Sequence, residues 1–180
     1  MISLKRAKEI QQMKKIIFSP IGIIRSPFNS VKGTPIQPAA ASGIPGTIEL
    51  DEKYRAGLRD IEGFSHLILL YHFHLSESYD LLVKPFLDNQ LHGLFSTRAP
   101  RRPNPIGLSV VRLMGVEGNL LHVMDVDIVD GTPLLDVKPY VMEFDVRQTQ
   151  TQGWITGKAQ NLKEIRADDR FEEKKGSSLL

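Results

Sequence analysis

The chain has 180 residues and a mass of 20.3 kDa, with 41% hydrophobic and 24% charged residues, which are the values of one globular domain and exclude a filament or a wholly disordered chain. It contains no cysteine, which removes disulfides, thiolate zinc sites, iron–sulfur clusters and cysteine nucleophiles, and points to a cell interior. The net charge is only +2, no apolar run reaches the roughly 18 residues of a membrane helix, and Met1–Arg6 lacks a signal-peptide pattern, so a soluble cytoplasmic protein with no membrane partner is expected.

Residues 1–15 read as a basic extension, with Lys5, Arg6, Lys8, Lys14 and Lys15 against Glu9. Beyond it, β-branched and aromatic runs punctuated by Pro and Gly predict strands at Ile16–Phe18, Ile21–Ile24, Thr47–Leu50, Phe64–Phe73, Leu108–Leu113, Leu120–Ile128 and Leu134–Val141. In Leu120–Ile128 the alternation puts Met124, Val126 and Ile128 on one face and assigns Asp125 and Asp127 to solvent. Lys53–Asp60 and Asp80–Asp88 predict short helices or turns, the second broken by Pro85. Residues 161–180 alternate basic and acidic side chains and read as a charged tail, helical or disordered. Many strands, little helix and Gly or Pro at most junctions predict a mainly β fold over 16–160, a compact and mostly antiparallel barrel or sandwich.

Charge is unevenly placed. Between Asn89 and Val116 there is no carboxylate but Arg98, Arg101, Arg102 and Arg112 are present, whereas Glu117–Asp145 holds seven carboxylates and the single Lys138. The basic segment contains Arg98-Ala-Pro-Arg-Arg-Pro-Asn-Pro105, where three prolines stiffen a loop without regular hydrogen bonding and so present its side chains. Such a loop suits phosphates, and the acidic segment beside it suits a cationic ligand. Asp130-Gly-Thr-Pro133 reads as a tight hairpin turn, after which Asp136, Lys138 and Tyr140 recur at period 2 on one strand face. His66, His72 and His74 share a face if their run is one regular strand, but their spacing does not bring them to one metal ion, and no metal site is expected. Gly-x-Gly-x-x-Gly, the Walker loop, Gly-x-Ser-x-Gly and the zinc-protease helix are all absent, which weighs against dinucleotide enzymes, P-loop NTPases and serine hydrolases.

The ordered set Ile21–Phe28, Gln37-Pro38, Gly63–His66, Phe95–Arg98, Arg102–Ser109, Asp127–Pro133 and Asp136–Tyr140 resembles the TsaA-like family across about Ile16 to Val141. The resemblance implies a small single-sheeted antiparallel β-barrel that forms a homodimer and binds S-adenosylmethionine. It implies methylation of the N6 nitrogen of threonylcarbamoyladenosine next to the anticodon of a tRNA. Family cofactor contacts carry over to Gln37, Pro38 and Ala39, to Ser65 and His66, to Arg98, to Leu108, and to Asp130, Gly131, Thr132 and Pro133. Two departures stand out: Ile36 takes the place of an arginine common in the family, and the stretch after Tyr140 is too short for the C-terminal domain of bacterial members. For the chemistry, Asp130, Asp136 or Tyr140 would accept or orient the leaving proton, Arg98 would balance the cofactor carboxylate, and Arg101, Arg102 and Asn104 would meet tRNA. The alternative is a module that binds S-adenosylmethionine as a sensor and transfers no methyl group.

Overall fold

The computed structural model describes residues 15–158 and 164–171. Its strands are β1 (Gly22–Arg25), β2 (Pro45–Leu50), β3 (His66–His72), β4 (Leu82–Val83), β5 (His92–Gly93), β6 (Ile106–Glu117), β7 (Leu120–Met124) and β8 (Thr132–Pro139). Six of them close into a barrel in the order β1-β2-β7-β6-β3-β8, every neighbouring pair antiparallel, and β4 and β5 pair separately. Closure leaves no unpaired barrel edge, which suits a chain with little helix to cover one.

The two-residue period of a strand decides what fills the barrel. In β3, Leu67, Leu69 and Tyr71 are buried while His66, Ile68, Leu70 and His72 face outward. In β6, Gly107, Ser109 and Val111 point in, and Ile106, Leu108 and Arg112 point out. Ile24, Ile48, Leu121, Val126 and Leu134 complete a core in which each fully buried aliphatic side chain contributes about 1.5–3 kcal/mol. The barrel expected from the resemblance is therefore present, and the sandwich alternative is not.

Several local expectations change. Ile16, Ile17 and Phe18 are exposed and form no strand, because β8 and β2 already occupy both sides of β1. Asp80–Asp88 holds no helix; Leu82 and Val83 are instead paired with Gly93 and His92. The strand begun at Leu120 ends at Met124, since Asp125 takes a left-handed φ of 72° and accepts a 2.7 Å hydrogen bond from the Gly43 N–H. That bend ends the alternation, so Val126 and Ile128 stay in the core while Asp127, half-buried, turns towards a cavity at the end of the barrel. Asp130–Pro133 is not a hairpin turn, because β7 and β8 are not neighbours and Thr132 and Pro133 already pair with β1.

After β8 comes a one-turn helix, α1 (Met142–Asp145), and the chain then returns across one end of the barrel. The Trp154 Nε1–H donates to the Ser96 carbonyl at 2.8 Å, and its ring stacks on His92 with centroids 4.4 Å apart. Further on, Ala167 exchanges backbone hydrogen bonds with Gly33 and Thr34, and Phe171 is buried edge-on against Phe86. Residues 164–171 of the expected tail are therefore packed on the body. Residues 1–14, 159–163 and 172–180, including most of the expected basic extension, lie outside the described residues.

Candidate functional site

A cavity of about 780 Å³ opens at the end of the barrel where β3 finishes and β6 begins. Tyr71, Gly107, Leu108, Asp127 and Thr132 form its barrel side. Gln37, Phe95 and Arg98 come from the loops, and Trp154 and Phe171 from the returning C-terminal segment. Apolar lining around a few polar groups, at a volume within the usual several hundred Å³, is the form of a small-molecule site.

The proline-stiffened loop is held by its own arginines. Arg102 donates to the Thr97 carbonyl at 3.1 Å and lies over the Phe95 ring, 5.7 Å from its centroid. Arg101 donates to Ser78 Oγ at 2.5 Å and lies 3.4 Å from Asp80. Arg98 reaches across to Gln37, donating to its Oε1 at 2.8 Å. Two cofactor positions distant in sequence thus meet through one hydrogen bond at the cavity wall. Asn104 is exposed at the far end of the loop.

The other sequence-derived positions divide into groups. Thr132 is buried, donates to the Val129 carbonyl at 2.7 Å and lies 3.4 Å from His74 Nδ1. Pro38 and Ala39 form the 3-10 turn after Gln37. Asp130 accepts from the Ser26 N–H at 3.1 Å and lies 3.7 Å from Arg25, Gly131 takes a left-handed φ of 75°, and neither they nor Pro133 lines the cavity. Ser65 and His66 lie at the opposite end of β3 and are joined by a 2.9 Å Oγ–Nδ1 hydrogen bond. His66 lies edge-on to Tyr140 with centroids 6.2 Å apart, and Asp136 pairs with Lys138 at 2.7 Å on the same outer face. Asp136 and Tyr140, like Asp130, are therefore outside this cavity. Among the described residues no group of three His, Asp or Glu side chains is arranged to hold a metal ion.

Sequence reading missed the inner polar group. Tyr71 OH lies 3.1 Å from Ser109 Oγ, whose hydroxyl donates to Asp127 Oδ1 at 2.7 Å. Burial pushes the Asp127 carboxyl up to about 6, against the lowering effects of the Ser109 hydrogen bond and the Arg98 charge. Burial also raises the Tyr71 phenol, with the Asp127 charge adding to it. His74, at the cavity rim, is lowered by burial first and by neighbouring His72 second. Tyr71 and Ser109 both fall on inward positions, Tyr71 opposite Gly107 and Ser109 opposite Leu69, but Asp127 needed the bend at Asp125 to join them.

A closed antiparallel barrel with a ligand-sized, loop-walled cavity at one end is a small-molecule-binding domain. The profile described as tRNA-methyltransferase O N-terminal domain matches residues 23–146, and the chain belongs to that family. A protein of Pyrococcus abyssi described as a probable S-adenosyl-L-methionine-binding protein is 54% identical over 156 residues, covering 87% of this chain and 85% of the relative. The mouse tRNA (adenine(37)-N6)-methyltransferase is 36% identical over 140 residues, which cover 74% of this chain but 32% of that enzyme. A crystal structure of TrmO superposes with a TM-score of 0.68 at 40% identity, covering 78% of this chain and 64% of that one. TrmO from Pseudomonas aeruginosa gives a TM-score of 0.66 at 38% identity, over 78% and 63%.

Proposed function

We propose that this chain is an S-adenosylmethionine-dependent tRNA methyltransferase acting, in the cytoplasm, on the N6 nitrogen of adenosine 37 bearing a threonylcarbamoyl group. Family membership and the activity named for the mammalian relatives support methylation at that nitrogen, and the threonylcarbamoyl group rests on the resemblance to the TsaA-like family. The observation that carries the reading is the Arg98–Gln37 contact on the wall of a mostly apolar 780 Å³ cavity inside the matched domain. The donor set fits the cofactor. Arg98 keeps guanidinium N–H groups free for a carboxylate, and Phe73, Phe95 and Trp154 offer ring faces and edges to an adenine.

When bound, S-adenosylmethionine supplies a methyl group activated by a sulfonium charge. The chain's own contribution is positioning and dryness. The Arg102-stapled loop fixes Arg98, and the Trp154–Phe171 wall excludes water from the reacting atoms. Arg101 and Asn104 lie on the loop beside the cavity, Arg102 lines it, and all three are assigned to tRNA.

The chain acts as a homodimer. Its family contact positions form two clusters: Gln37, Arg98, Leu108 and Thr132 at the cavity, and Ser65 and His66 about 20 Å along β3. Between them runs an outer row with exposed Leu108, Ile106 and Met114, which a second copy would cover. Two-fold pairing across this row lets Ser65 and His66 of one copy serve the cavity of the other. Asp130, Asp136 and Tyr140 are then available at the joined site as acceptor or orienter of the leaving proton.

Mass spectrometry of tRNA nucleosides from a strain lacking the gene tests the reaction. Loss of N6-methylated threonylcarbamoyladenosine, restored by the intact gene, is expected. An unchanged nucleoside profile from a protein that binds the cofactor would leave the sensor reading in its place.

A further inference from the structure

Asp127 is a carboxylate turned into an apolar cavity without an ion-pair partner among the described residues. Its one side-chain hydrogen bond comes from Ser109 Oγ at 2.7 Å. Because that hydroxyl donates to Asp127, Ser109 Oγ is left to accept from the Tyr71 hydroxyl 3.1 Å away. Both protons of the chain Tyr71–Ser109–Asp127 therefore run towards the carboxylate, and the protein adds no cation to meet it. Arg98 acts on Asp127 only through space, while one of its guanidinium nitrogens donates to Gln37. A negative charge withdrawn from water and left unpaired is costly unless something supplies a positive charge in the assembled state.

We infer that Asp127 is the counter-ion for a positively charged group of the ligand that fills the cavity, the sulfonium or the α-ammonium of the cofactor. This rests on the cofactor reading above. Arg98 and Asp127 line the same cavity with opposite charges, so a zwitterionic tail next to a nucleoside meets a cation for its carboxylate and an anion for its positive end.

The consequence is proton-linked binding. The groups facing Asp127 are Tyr71 from β3, Ser109 from β6 and Arg98 from the proline-rich loop, while His74, Arg102 and Thr132 line the same cavity. Tyr71 is raised and stays neutral, Asp127 with its carboxyl at about 6 changes charge between pH 5 and 8, and His74, lowered by burial, is the other shifted group of the lining. With the Asp127 carboxyl at about 6, the free protein holds it mostly protonated at pH 5, and a cation binds only after the proton leaves. The apparent dissociation constant should then rise about tenfold from pH 8 to pH 5, with release of about 0.9 proton per cofactor at pH 5.

Isothermal calorimetry of the full chain in buffers of differing ionisation enthalpy reads both quantities. Adenosine, which lacks any cation, should bind without this dependence. S-adenosylhomocysteine, which lacks the transferred methyl group and with it the sulfonium charge, should keep the dependence if the ammonium is the partner and lose it if the sulfonium is. Asp127→Asn should weaken S-adenosylmethionine about tenfold or more at pH 8 and flatten the profile. Ser109→Ala, which removes the donor that holds the carboxyl down, should move the midpoint to higher pH, and it serves where Asp127→Asn does not fold. A flat profile for the parent, an equal dependence with adenosine, or a dependence that survives Asp127→Asn and so belongs to His74, would overturn the inference. Absence of cofactor binding at every pH would remove the cofactor reading itself.

Discussion

Gly107→Ala is the substitution with the most local and most measurable consequence. Gly107 lies opposite Tyr71 in the β3–β6 register, and a Cβ there would collide with three atoms of the Tyr71 ring. Any shift of the ring towards the cavity breaks its present contacts. Tyr71 is 5% exposed, edge-packed on Phe73 at 5.3 Å, and its hydroxyl is 3.1 Å from Ser109 Oγ. Overpacking costs about 1–3 kcal/mol and loss of the hydroxyl hydrogen bond adds about 1 kcal/mol, so a destabilisation of about 2–4 kcal/mol is expected. At about 2–4 °C per kcal/mol for a chain of this size, thermal unfolding followed by circular dichroism should move down by about 10 °C. Adding Tyr71→Leu, which removes the obstructing ring, should recover part of the loss, a coupling of about 1–3 kcal/mol between the two sites. An unfolding temperature within about 2 °C of the parent for Gly107→Ala, or strict additivity in the double variant, would show that the glycine is not there to seat the ring.

Arg98→Ala should leave unfolding nearly unchanged and weaken S-adenosylmethionine about 10- to 100-fold by calorimetry, the loss of one charge-assisted contact of about 1.5–3 kcal/mol. Met114→Glu, on the exposed outer row of β6, should convert a species of about twice 20.3 kDa into one of about 20.3 kDa by light scattering, with the barrel's circular dichroism retained. Asp88 is held below the usual carboxylate range by hydrogen bonds from Lys158 and His92. Its contribution is therefore present above its unfolded value near pH 3.9 and fades as pH falls through that range towards the folded value. Trp154 is the single tryptophan and stacks on His92, so its emission should shift to longer wavelength at low pH, and at neutral pH in Asp88→Asn.

The barrel was legible where a strand keeps one face in the core. Leu67, Leu69 and Tyr71 alternate with outward residues over the whole of β3, and simple periodicity locates them. The Gln37, Arg98, Leu108 and Thr132 corner of the site came from the resemblance, and the structure brings these residues to one cavity. Asp127 was misassigned because alternation was extended past Met124, whereas the left-handed Asp125, tied to Gly43 and 3.3 Å from Arg112, ends the strand. Asp130–Pro133 misled for a different reason: a turn motif is local, but β8 chooses β1 and β3 as neighbours through the closure of the whole sheet. No periodicity links Trp154 to Ser96, 58 residues earlier in the chain, or Phe171 to the same cavity wall.

The returning segment makes the ligand's enclosure longer than the matched domain. The family profile stops at residue 146, yet Trp154, Ile155, Ala167 and Phe171 all line the cavity. A fragment ending at residue 146 would keep all six barrel strands while opening one side of the cavity to bulk water. Relatives that share the barrel but differ after this point can therefore diverge in affinity, ligand residence time and access of a bulky acceptor without any change in the strands. Grafting residues 147–171 between them would retune the site by replacing its wall.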